Sequence, residues 1–97
     1  MRSVTVAAVP TLNIDNDRVR VTTWRFAPGA ATGWHRHEMA YVIVPLVSGK
    51  LKLVGPDGAE TIAELQAGIP YYKDAGVEHD VINPNEFEFA FVETELK

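Results

Sequence analysis

Apolar and polar residues alternate along most of the chain, and no helical apolar period persists through ten residues. Ser3 to Val9 places Val4, Val6 and Ala8 on one side and predicts a short first strand ending before Pro10. Asn13 to Asp17 is a turn cluster. Arg18 to Phe26 alternates again, with Val19, Val21 and Thr23 facing one way and Arg20, Thr22, Trp24 and Phe26 the other. Pro28 to Gly33 is a loop, and the strand after it runs to about Val47. Pro45 cannot donate to a ladder, so a bulge or an edge position is expected there. Further strands are predicted over Lys50–Val54, Glu60–Leu65, Pro70–Lys73 and Glu78–Ile82, with the strongest turn signal at Gly55-Pro56-Asp57-Gly58. The last strand, Glu86 to about Leu96, puts Phe87, Phe89 and Phe91 on one face. Many short strands with closely spaced turns mean an all-β sandwich or small barrel.

Ninety-seven residues make one domain, 1–97, with 1–17 an N-terminal strand and turn expected at an edge or dimer contact. The net charge, 9 − 13 = −4, comes without a basic stripe, which argues against nucleic acid as a partner. No apolar run reaches a membrane span and the start lacks a signal-peptide core, so a cytoplasmic protein is expected. The absence of cysteine removes thiolate ligands, leaving imidazole, carboxylate, phenolate or water for any metal.

Two of the three histidines stand one residue apart in Gly33-Trp34-His35-Arg36-His37. The run ahead of Tyr41-Val42-Ile43-Val44 reads as extended, and residues two apart on a strand leave the same face. Both imidazoles can then reach one ion. His79, on the strand Glu78 to Ile82, joins them if the inward faces of two strands converge.

These residues resemble the motifs of the cupin superfamily. Its second motif, Gly-x5-Pro-x-Gly-x2-His-x3-Asn, is met by Gly68, Gly76, His79 and Asn83, with Asp74 where proline is usual. The first is met by His35, His37 and Gly49, its leading glycine falling at Gly29 or Ala30. Its glutamate is missing, the position falling on Tyr41 or Val42. The surrounding segments resemble small single-domain bacterial cupins of a group labelled β-alanine degradation proteins. The resemblance implies a jelly-roll β-barrel, one divalent metal (Fe, Mn, Ni, Zn or Cu) on His35, His37 and His79, and a homodimer.

Tyr41 is the candidate catalytic residue, as a hydrogen-bonding pocket group and proton donor, or else as a phenolate ligand. Glu38 could ligate only if the backbone bends beside His37. Asn83 is expected to hold a turn or neighbouring backbone. Arg25 and Arg36 are candidates for pairing a substrate carboxylate, against a solvated surface role. The expected function is a metal-dependent, dioxygenase-like oxidoreductase or isomerase acting on a small carboxylated metabolite. The alternatives are a non-catalytic binding module and a metal-free scaffold.

Overall fold

A computed structural model describes residues 6–97. Every regular element in it is a strand: β1 (Val9–Asp15), β2 (Val19–Phe26), β3 (His35–Arg36), β4 (Tyr41–Pro45), β5 (Gly49–Val54), β6 (Glu60–Leu65), β7 (Tyr71–Lys73), β8 (Glu78–Ile82) and β9 (Phe89–Leu96). One sheet has the order β1-β2-β9-β4-β7 and the other β3-β8-β5-β6. Their inner faces meet over Phe26, Ile43, Leu51, Val81, Phe89 and Phe91, a jelly-roll arrangement whose ladders do not close into a continuous barrel. No helix among the described residues is long and apolar enough to cross a membrane.

The alternation read from the sequence sets which residues face inward. Register puts Arg20, Glu95, Tyr41 and Lys73 in one row across the first sheet, since each is opposite its neighbour. Thr22, Glu93, Ile43 and Tyr71 form the next row, and Trp24, Phe91 and Pro45 the one beyond. Directly paired residues point to the same face. The inward surface of this sheet therefore grades from charged and phenolic at one end to apolar at the other.

Several boundaries differ from the sequence reading. The first strand in the described structure is Val9–Asp15, running through Pro10 and taking in part of the Asn13–Asp17 turn cluster. It pairs with β2 through a bulge between Leu12 and Ile14, and all its residues are exposed. Ser3 to Thr5 of the expected strand lie outside the described residues. Pro45 is not at a bulge. β4 is a central strand, but its ladder with β7 stops at Ile43, so Pro45 pairs with β9 alone. Its other side is locally an edge, where its carbonyl accepts from Gly68 N at 2.8 Å. Phe87 precedes β9 and is exposed, while Phe89 and Phe91 are buried as expected.

Asn83 does what its motif position suggested. It is fully buried, its amide donates to the carbonyls of Phe26 (3.0 Å) and Phe87 (2.9 Å), and its oxygen accepts from Asn85 N (2.8 Å). One side chain thus ties the turn at 83–87 to the end of β2.

Candidate metal centre

The expected long strand is interrupted: β3 is only His35–Arg36, and residues 37–40 leave regular structure before β4. His37 nevertheless keeps its place. Within the short ladder His35 is opposite His79. The pairing then continues through His37 N to Val77 O and Gly76 N to His37 O, both at 2.8 Å. Gly76 has φ +103°, which L side chains rarely adopt, so this tight return toward β8 calls for glycine. Gly33, at φ +83°, makes the entry turn, and Asp80 holds it by accepting from Gly33 N at 3.1 Å.

His35, His37 and His79 consequently converge, with one ligand atom from each within 4.8 Å of the others. Nε2 of His37 lies 3.0 Å from Nε2 of His35 and 3.1 Å from Nε2 of His79. The opposite ring nitrogens meet oxygens. His35 Nδ1 is 2.9 Å from the Gly33 carbonyl, which can only accept, so the proton sits on Nδ1 and Nε2 presents a lone pair. His37 Nδ1 lies 3.5 Å from Glu93 Oε2, and an ionised carboxylate there fixes the same tautomer. Bare lone pairs this close repel one another. A cation between them removes the conflict, and two nitrogens about 2.1 Å from one ion and about at right angles stand about 3 Å apart. The donor set fits a divalent transition metal.

Burial keeps the imidazoles unprotonated, the form a metal needs. Removal from water, reinforced by His35 and His79, lowers the pKa of His37 to about 4. His79 is lowered to about 4 by burial, by His35 and by the nearby Lys73 ammonium. Both rings therefore stay neutral and available to a metal well into the acid range.

Tyr41 is buried and its ring stacks on that of His37, with centroids 4.0 Å apart and planes at 22°. Burial, then Tyr71 and Glu93, raise its pKa, so it stays an O–H donor and is poorly suited to be a phenolate. Glu38 is exposed, pairs with Arg36 at 3.5 Å and does not join the cluster. Arg36 pairs with Glu78 as well (3.3 Å) and Arg25 with Glu88 (3.5 Å), and neither lines the cavity beside the histidines.

Sequence reasoning passed over Glu93. It is buried on β9, its Oε1 accepts from Trp24 Nε1 at 3.3 Å, and its other oxygen faces His37. Burial and then Glu95 raise its pKa to about 7, against the lowering effect of the Trp24 hydrogen bond. The signal was present: Glu93 continues the inward face of Phe89 and Phe91, so strand parity aims an acid into the core. It supplies a carboxyl beside the histidines from another strand than the one where the motif glutamate would stand.

A cavity of about 850 Å³ opens beside the three rings. Both sheets line it, with Ile43, Leu51, Leu53 and Phe91 among its apolar wall and Tyr71 and Lys73 among its polar groups.

The cupin domain family matches residues 22–94, which include all three histidines and Glu93. The chain is a cupin. It is 57% identical over 90 residues to the β-alanine degradation protein BauB of Pseudomonas aeruginosa, covering 93% of this chain and 94% of that one. A crystal structure of a cupin domain from Bordetella pertussis Tohama I matches with a TM-score of 0.95 and 51% identity over 99% of both chains. The polyketide cyclase RemF of Streptomyces resistomycificus shares the fold at a TM-score of 0.72 and 22% identity, over 95% of this chain and 68% of that one.

Proposed function

We propose that this cupin holds one divalent transition metal on His35, His37 and His79 and uses it on a carboxylated metabolite, as a dioxygenase-like oxidoreductase or an isomerase. The observation that carries the reading is the convergence of the three Nε2 atoms beside a cavity of ligand size. A bound divalent ion would supply Lewis acidity and coordination positions left free by only three protein ligands.

The chain's own residues have separable tasks. Glu93 and the Gly33 carbonyl hold the His37 and His35 rings by their Nδ1 sides. Tyr41 packs flat against His37 and keeps its proton, which makes it a hydrogen-bond donor toward a ligand oxygen. The apolar walls limit water around the polar groups and so strengthen their interactions. The name of the relative BauB makes β-alanine and related three-carbon acids the first compounds to screen, with longer-chain carboxylic acids after them.

The test is a metal inventory of tag-free protein, followed by oxygen uptake and product analysis with those acids. Stoichiometric metal with metal-dependent turnover supports the reading. Metal without turnover of any acid would reduce the protein to a binding module, and absence of metal affinity would remove the reading altogether.

A further inference from the structure

The cavity is larger than a three-carbon acid needs, and its chemistry is divided along its length. On the first sheet, the row Lys73–Tyr41 lies beside the histidines, the row Tyr71–Ile43–Glu93 follows, and Phe91 lies beyond. On the second sheet, His79 is followed on the same face by Val81, which is opposite Leu53; Leu51 stands one inward step further along β5, opposite Ala63. Along these inward rows both sheets thus run from charged and hydrogen-bonding groups at the histidine end to aliphatic and aromatic groups, with Glu64 and Gln66 at the lining beyond the Leu51–Ala63 rung.

Among the described residues, Lys73 is the only lysine or arginine lining this cavity. It is opposite Tyr41 in the ladder, so the two side chains leave the same face of the sheet. Arg20, Arg25, Arg36, Lys52 and Lys97 are each paired with a carboxylate, and of the described cations without an ion pair, Arg18, Lys50 and Lys73, Lys73 alone lines the cavity. Tyr41, its ladder partner, stacks on the His37 ring at 4.0 Å, which places Lys73 one rung from the histidines. The arginines nominated from the sequence have no such position.

We infer that the ligand of this cavity is an amphipathic carboxylate, its anionic end paired with Lys73 beside the histidines and its apolar body laid along Leu53, Leu51 and Phe91. The inference rests on the proposed carboxylate-binding function and narrows it from a small polar acid to one with a hydrocarbon or aromatic body. Lys73 is then a specificity-determining residue at the exposed rim, where substitution leaves the core untouched.

The test uses the full chain, zinc-loaded and metal-free, with octanoate, octanamide and butyrate as probes followed by isothermal titration. Octanoate is expected to bind about tenfold or more tighter than octanamide, the size of one charge-assisted contact. In the metal-free protein, where no ion can ligate the carboxylate, Lys73→Gln should reduce that preference to below about threefold, and Lys73→Arg should keep it. Octanoate should exceed butyrate by about thirtyfold or more, since each buried CH2 is worth about three- to fourfold. An octanoate preference unchanged in Lys73→Gln, or butyrate binding as tightly as octanoate, overturns the inference. Failure of zinc to bind would sink the metal reading alone, because the metal-free titrations still report on Lys73 and the apolar wall.

Discussion

At the scale of single residues, the site is a balance between burial and charge around His37. Glu93 stands between Trp24 Nε1 and His37 Nδ1, and its task is to orient rather than to ligate. Glu93→Gln keeps the volume and the Trp24 contact but removes the charge. We expect zinc affinity, read by competition with a chromogenic chelator, to fall about 10- to 100-fold while the fold persists. The same residues give metal-free protein a defined acid response. An unfolded histidine titrates near 6.5, whereas His37 and His79 resist protonation until about 4. The unfolded chain therefore binds more protons over that window, and stability falls as pH drops from about 6.5 to about 4. Glu93 acts oppositely: raised from 4.5 to about 7, it contributes fully below about 4.5 and loses its contribution as pH rises through 7. Urea midpoints of chelated protein at pH 7 and pH 5 should thus fall more steeply in Glu93→Gln than in the parent. An equal fall in both would mean that Glu93 is ionised throughout. His35 and His37 were legible from type and spacing, and His79 from its strand and its place in the cupin motif. Glu93 was legible only by extending the parity of Phe89 and Phe91, and Lys73 was not, because its meaning comes from which cations are already paired.

At the scale of elements, spacing predicted the right faces even where it misplaced the ends. His35 and His37 share a face although the strand breaks between them, because His37 continues the ladder through Gly76 and Val77 by backbone bonds alone. That continuation depends on a backbone shape open to glycine. Gly76→Ala meets no steric obstacle, yet its φ of +103° is strained for any L side chain. The substitution should cost about 1–3 kcal/mol in urea unfolding and weaken zinc binding with it. Unchanged zinc affinity would show that His37 is placed by its ring contacts with Tyr41 and Glu93 instead. The edge expected at Pro45 exists only locally: β4 is central, and the proline stands past the end of its ladder with β7. The sequence misjudged the first strand because alternation is weak there and pairing with β2, a tertiary matter, decides the bounds.

At the scale of the whole molecule, two sheets contribute to one site. His35 and His79 come from neighbouring strands of one sheet, and Tyr41 and Glu93, which brace His37, come from the other. An ion held by the three histidines, backed by residues of the facing sheet, links both halves of the jelly roll. Metal that binds the folded chain alone stabilises it by mass action, about 2.7 kcal/mol at a hundredfold excess over Kd. For a chain of 97 residues that corresponds to a rise in Tm of about 10 °C or more, read by thermal melts with and without chelator. The general architecture was legible from turn spacing and the absence of helical periodicity. The polarity gradient of the cavity was not, since it arises only when two separate alternations are set face to face.

The most direct test is the zinc stoichiometry of metal-stripped parent protein and of His79→Ala, measured by titration and by elemental analysis after dialysis. The account predicts one ion retained per parent chain and less than about a tenth of an ion in His79→Ala. An ion retained equally by both proteins, or by neither, would contradict a centre built from all three histidines.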